Sequence, residues 1–356
     1  MNTAWQKFLE GRGAHFGENS QSNEPQHFGD LDFGDLQSEL KHAQNDTILA
    51  PLSHLGVIRC TGEDSAAFLH NLMTNDIKGI TPQSAILCGF CTAKGRLLAD
   101  FVVWRDGPES ADYLLQLSAD IQPALQKKLS MYVLRSKAKL SDASDEIVLL
   151  GLSGPAAEIA IKTLTEDVPT TPYSVTQFEH GQVIRLDAQG RRFQLAVQAS
   201  AAEAIWMRLS EHAQPVGTAA WRWLDIINGK PLITAATQEA FVPQMVNLDL
   251  IGGVSFTKGC YPGQEIVART KYLGKVKRRT LLAHVAGGEP TAGNDVYSSA
   301  LPDQSSGKVV NAAAAPDGGF DVLIELITAN AQGSEVRLGA VDVPVVAFRA
   351  LPYSLE

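Results

Sequence analysis

The chain has 356 residues, 45% of them hydrophobic, and a formal net charge of −9. That length suits two or three domains with true cores. The acidic balance argues against a chain that holds nucleic acid through its overall field, while leaving room for a local basic patch. No run of about 18 apolar residues offers a membrane span, and Met1–Glu10 lacks the apolar heart of a secretory signal. Four cysteines, Cys60, Cys88, Cys91 and Cys260, do not make a disulfide framework in a chain of this size. A reducing, cytoplasmic location is the expectation.

Residues 1–45 carry seven acidic side chains against Lys7, Arg12 and Lys41, among repeats of Gly, Asn, Ser and Gln. The pattern predicts an acidic, loosely ordered extension. Order is expected from Ile48. Gly56–Gly62 reads as a strand and Asp64–Met73 as a helix with acid in its first turn. Strands follow at Ala85–Phe90 and Leu97–Trp104, joined through Thr92-Ala-Lys-Gly95-Arg96, and at Tyr113–Leu117. A helix from Asp120 to about Tyr132 places Ile121, Leu125 and Leu129 on one face. Val133–Leu140 is a further strand candidate.

A similar unit recurs. It has a strand at Ile147–Leu152 and a helix opened by Ser153-Gly-Pro155. A hairpin of Val183–Leu186 with Phe193–Val197 follows, and then a helix behind the capping-box pattern Ser200-Ala-Ala-Glu203. Trp221–Ile227 reads as a helix stopped at Gly229. After Arg279 short strands succeed one another: Leu281–Val285, Val296–Ser298, Lys308–Ala312, Val322–Ile327, Val336–Leu338 and Val343–Phe348. Asp317-Gly318-Gly319 is a hairpin turn among them. The fold expected is α+β: two related α+β units and a C-terminal all-β barrel. The expected boundaries are an extension at 1–45, units at 46–145 and 146–270, and the barrel at 271–356.

Chemistry concentrates in Lys258-Gly-Cys-Tyr-Pro-Gly-Gln-Glu265. If a helix begins at Tyr261-Pro262, Cys260 lies at its N-terminus, where backbone N–H groups and Lys258 favour thiolate. Gly259 and Gly263 would permit close approach or positive φ. The other reading is a small apolar residue packed beneath a loop. Cys88-Gly-Phe-Cys91 has redox or metal spacing, but a strand there turns its two thiols to opposite faces. No second ligand set accompanies it, so no metal is expected. Asp100, inside an apolar strand, is a general base or ligand acceptor on one reading, and a solvent-facing or Arg96-paired carboxylate on the other. The run 269–279 holds six basic residues and no acid. As a strand it would put Lys275, Lys277 and Arg279 on one face, suited to a polyanion or equally to a solvated, lysine-protected edge.

These residues carry a resemblance. The octapeptide 258–265 looks like the signature of the YgfZ family. Gly56-Val-Ile-Arg59, Phe68-Leu69, Thr74-Asn-Asp-Ile77, Lys94-Gly-Arg96, Pro243–Asp249 and Ile251-Gly-Gly253 extend the likeness over roughly 48–350. The resemblance implies a ring-like arrangement akin to the T-protein of glycine cleavage, with tetrahydrofolate or a one-carbon derivative bound near its centre. It implies an accessory role in assembly or repair of iron–sulfur enzymes, including those that modify tRNA. Partners would be folate and those enzymes or their assembly factors, with tRNA contact through 269–279 and no membrane. Cys260 and Lys258 would be the reactive pair. Asn75, Arg96, Asp100, Tyr261, Gly263, Gln264, Glu265 and Arg269 would shape or contact the ligand site. In the transferases the strand matching Leu97–Phe101 carries adjacent aspartates. Here it reads Ala99-Asp100, which weakens the alternative of a folate-dependent aminomethyltransferase with Asp100 as base. A binding module acting on RNA through 269–279 is the other alternative.

Overall fold

A computed structural model describes residues 2–17, 29–272, 276–300, 304–331, 334–339 and 345–355. The chain divides into two compact units, each discontinuous in sequence. One comprises Met1–Leu69, Ile77–Ile86 and Phe101–Trp221; the other comprises His70–Asp76, Leu87–Asp100 and Arg222–Glu356.

In the first unit a sheet runs in the order Val175–Phe178, Gly181–Arg185, Arg192–Gln198, Ile147–Ser153, Ile48–Pro51 and Gln214–Pro215. Its strands are rich in β-branched and aromatic residues. One face buries Val148, Leu150, Leu152, Val183, Phe193, Leu195 and Val197. A second set of strands pairs Val102–Arg105 with Tyr113–Gln116, Leu55–Cys60 with Tyr113–Ser118, and Ile58–Thr61 with Lys139–Asp142. The helix Gln122–Met131 buries Leu125 and Leu129, with Ile121 at its N-cap also buried. Its register is the one the spacing predicts. The strand expected at Val133–Leu140 shrinks to Lys139–Asp142, because turns occupy 132–137. The helix Ala202–Ser210 forms without a side-chain cap, so the Ser200–Glu203 capping box is not made.

The N-terminal segment is a correction. Thr3–Gly11 and Leu36–Asn45 are helices, and His15–Phe16 pairs with Leu31–Asp32. Trp5 and Leu9 are buried in the core of this unit, and Trp5 meets Trp206 edge-on at 5.6 Å between ring centroids. Glu39 is buried and accepts backbone N–H groups of Phe33 and Gly217, each at 2.6 Å. A few large apolar contacts and one satisfied carboxylate order the described parts of a segment whose average composition is polar.

In the second unit the C-terminal sheet runs Val336–Leu338, Asp295–Ser298, Gly307–Ala314, Phe320–Ile327, Arg278–Val285 and Ala347–Arg349, every pair antiparallel. It is a curled half-barrel rather than the closed barrel expected. Among the described residues, only the isolated bridge Arg337–Val345 stands where a continuous ladder would close it. Gly318 and Gly319 adopt φ of +89° and +66° in the hairpin turn that the sequence predicts. A separate core gathers Leu97, Phe241, Val246, Leu248, Val254, Tyr261 and Val267 beside Leu282 and Leu323.

Candidate functional site

The motif loop lies within the second unit. Lys258 is half-buried, and its Nζ donates to the carbonyl oxygens of His70 and, at 2.6 Å, Met73. The same ammonium stands 5.0 Å from the centre of the Tyr261 ring. Helix ends leave carbonyls unsatisfied, and a lysine there answers both the hydrogen-bonding need and the negative dipole end. Lys258 is therefore a clamp between the loop and the end of the helix Ser65–Leu72.

The segment after that helix is tied down as well. Thr74 Oγ1 donates to Gly253 O and accepts from Gly89 N, both at 2.7 Å. Asn75 Nδ2 donates to Leu87 O and Gly252 O, also at 2.7 Å. Thr74-Asn75 and Gly252-Gly253, far apart in sequence, are thus two halves of one junction. Asn75, expected at a ligand, spends its amide on the backbone. Arg96 likewise donates to Ala240 O at 2.6 Å.

The helix of the motif begins at Gln264, not at Tyr261-Pro262. Gly263 has φ of +79°, which interrupts the helical path, and Gln264 N closes a turn onto Tyr261 O. Cys260 therefore sits on the loop ahead of the helix rather than at its N-cap. Its thiol is free and exposed. Tyr261 is buried in the core, with its hydroxyl pushed up by that burial, and it braces the loop from beneath. A methyl on Gly259 would meet nothing within 4 Å, so only Gly263 has a steric reason to be glycine. Gln264 is half-buried, while Glu265 and Arg269 are exposed on the helix Gln264–Tyr272.

Asp100 occupies the strand Leu97–Arg105 and is 5% exposed. Its Oδ1 accepts from Ile233 N at 2.6 Å, not from Arg96. Burial raises its pKa to about 6, against the lowering effects of the Ile233 N–H and the Lys230 charge. Sequence reasoning missed Thr234, whose buried Oγ1 has no hydrogen-bond partner. It follows directly in sequence on Ile233, whose N–H bonds Asp100. No periodicity could have found Thr234; its signal is the orphaned atom alone. Cys88 and Cys91 are buried, and burial raises both thiols, Cys91 to about 12, leaving them inert near neutral pH. Among the described residues no three His, Cys, Asp or Glu side chains gather as a metal site.

The basic run does not form one face. Arg269 and Lys271 end a helix, with Lys271 5.0 Å over the Phe256 ring, and the strand starts only at Arg278. Lys275 lies outside the described residues. Arg278 pairs with Glu325, and buried Arg279 bonds Asp249 at 2.6 and 3.1 Å. Arg278 and Arg279 are thus committed to internal ion pairs, while Arg269 and Lys277 are exposed.

Comparison with known proteins accords with this architecture. The family model described as the GCVT N-terminal domain matches residues 5–254. The chain is 33% identical over 311 residues to the tRNA-modifying protein YgfZ of Serratia proteamaculans, covering 86% of this chain and 92% of that one. It is 32% identical over 309 residues to the protein of the same name from Yersinia pseudotuberculosis, with the same coverage. The aminomethyltransferase T of the glycine cleavage system from Bartonella henselae shares the fold, with a TM-score of 0.79 at 17% identity over 100% of this chain and 98% of that one. The chain has the GCVT N-terminal domain and belongs, within that class, to the YgfZ family.

Proposed function

We propose that this protein is a tetrahydrofolate-binding accessory factor of tRNA modification, supporting the assembly or repair of the iron–sulfur enzymes involved. The relatives' name, tRNA-modifying protein, supports the tRNA side of this reading. The observation that carries it is the presentation of Cys260. One exposed, free thiol stands on a loop clamped by Lys258, braced by Tyr261 and closed by Gly263. The other three cysteines are buried. A thiol held rigidly in solvent suits exchange or transfer with a partner protein.

The donor set fits a pterin. Asp100 offers a carboxyl that still takes a hydrogen bond from a ring N–H, and Thr234 Oγ1 offers a second polar contact. Folate supplies a one-carbon carrier or a redox-active ring when bound. The chain's own part is to orient that ring and to hold a proton at the Asp100 carboxyl near pH 6.

Two measurements test this. Calorimetric titration with tetrahydrofolate should give saturable binding that Asp100→Asn weakens by tenfold or more. In a bacterium lacking its own copy, the wild-type gene should restore tRNA modification and Cys260→Ala should not. A Cys260→Ala protein that restores modification fully sinks the assignment. Asp100, buried and with its pKa raised to about 6, also supports a second reading as general base of a folate-dependent aminomethyl transfer. Turnover of a methylamine-type donor with free tetrahydrofolate would favour that reading, and binding without turnover would favour the first.

A further inference from the structure

Between Ile121 and Ser141 the chain holds Lys127, Lys128, Arg135, Lys137 and Lys139 and no acidic residue, within a protein of net charge −9. This stretch runs from the helix Gln122–Met131 through a turn into the strand Lys139–Asp142, all in the first unit. At the turn stand three large apolar side chains in solvent: Met131 is 71% exposed, Tyr132 45% and Leu134 88%.

Leu134 is the unusual member. Its φ is +45°, a left-handed conformation that Gly or Asn adopts readily and that a leucine adopts at a cost. No burial of its side chain offsets that cost. The turn around it is nevertheless well formed. Tyr132 N bonds Leu129 O, Ser136 N bonds Val133 O at 2.8 Å, and Lys137 N bonds Asp64 Oδ2 at 2.7 Å. A built turn that holds a strained leucine outward is the signature of a presented contact residue.

Resting on the tRNA-related reading above, we infer that this turn is a tRNA-docking element. It grips the phosphate backbone with Lys127, Lys128, Arg135 and Lys139 and places Tyr132, Met131 and Leu134 against unpaired bases. Charge complementarity selects a polyanion: Lys127, Lys128, Arg135 and Lys139 outnumber the nearby acids Glu63, Asp64 and Asp142, on a protein whose net charge is −9. The apolar tip selects one with exposed base faces: aromatic rings stack on unpaired bases, and Leu and Met act as wedges beside them. Lys137 takes a supporting part, since its ammonium pairs with Glu63.

The test is fluorescence anisotropy of the full chain with labelled bulk bacterial tRNA across a potassium chloride series. Wild type should bind with an affinity that falls steeply as salt rises. The combined variant Lys127→Glu, Lys128→Glu, Arg135→Glu, Lys139→Glu should lose at least tenfold in affinity and flatten the salt slope. Tyr132→Ala with Leu134→Ser should lose about fivefold and keep the slope. Unchanged thermal midpoints would certify folding, since all these side chains are exposed or half-buried. Absence of wild-type binding at 50 mM salt, or equal binding by both variants, overturns the inference. Co-sedimentation with vesicles containing anionic phosphatidylglycerol, without tRNA binding, also overturns it and assigns the turn to a membrane surface. Cys260→Ala should bind tRNA as wild type does, so failure of the thiol's role and failure of this surface read out separately.

Discussion

Gly95 and Gly263 meet backbone to backbone. A methyl carbon built on Gly263 would stand 2.5 Å from Gly95 Cα and 2.5 Å from Thr92 O. One built on Gly95 would press on Ile266 at 3.1 Å. The hairpin turn Thr92–Arg96 thus packs against the start of the helix that follows the cysteine loop. Two sequence motifs that looked independent are two sides of one contact, and Cys260 takes its position from it.

Gly263→Ala should therefore be costly. Positive φ alone penalises a side chain by about 1 kcal/mol or more, and here backbone atoms, which cannot swing aside, fill the space. A loss of about 3 kcal/mol in chemical denaturation is expected, within the range of severe strain and overpacking. Gly259→Ala is the control. It has open space around it and no positive φ, so it should change stability by less than about 0.5 kcal/mol. Equal effects of the two substitutions would refute this account of the loop.

Lys258 and Cys260 should separate stability from function. Lys258→Met removes a charged donor from two carbonyls at a helix end, and charge-assisted bonds of this kind contribute roughly 1.5–3 kcal/mol each at most. A loss of about 2 kcal/mol is expected by urea denaturation. Cys260→Ser leaves the packing untouched, because the thiol is exposed. Its midpoint should match wild type while cellular activity is lost. If Cys260→Ser unfolded as readily as Lys258→Met, the thiol would be a structural residue.

Asp100 gives a pH dependence whose sign is fixed by burial. Its carboxyl titrates near 6 in the fold against 3.8 for an ordinary aspartate. Below about pH 4 it is protonated in both states and costs nothing. Between about 4 and 6 the unfolded chain releases its proton first, so stability falls as pH rises. Above 6 the penalty is constant, at most about 3 kcal/mol from the 1.36 kcal/mol per unit relation. Asp100→Asn, which keeps an oxygen for the Ile233 N–H, should be more stable than wild type at pH 8, with the difference gone near pH 4. Denaturation curves at several pH values measure this directly; a wild type as stable as the variant at pH 8 would contradict it.

Much of this was legible in the residues. Strands at 97–105, 147–153, 192–198, 278–285 and 320–327 stood where apolar runs predicted them. The reactive candidate, Cys260, was visible because its motif is specific. The helix Thr3–Gly11 was not legible. Its order depends on Trp5 and Leu9 reaching residues such as Trp206, about two hundred positions away, and composition averages such contacts out. The backbone bonds of Asn75 and Arg96 were not legible for a related reason: a polar side chain's partners are known only once the chain is folded. Trp5→Ala accordingly should cost about 3–5 kcal/mol, whereas a disordered tail would tolerate it.

Arg279 takes no part in a cationic surface at 269–279. The residue is 7% exposed, and its guanidinium forks onto Asp249, with a further bond to Gln244 O at 2.9 Å. Removing one partner of such a pair strands the other charge in the interior. Arg279→Ala should therefore destabilise by about 3–5 kcal/mol, and Asp249→Ala by a similar amount. The double variant should cost less than the two losses combined, because no unpaired charge remains. Lys277→Ala, at an exposed position, should leave stability within about 0.5 kcal/mol of wild type. A double-mutant cycle by urea denaturation reads the coupling. A coupling near zero would mean that Arg279 is not committed to Asp249 and would return it to the pool of cations open to a polyanion.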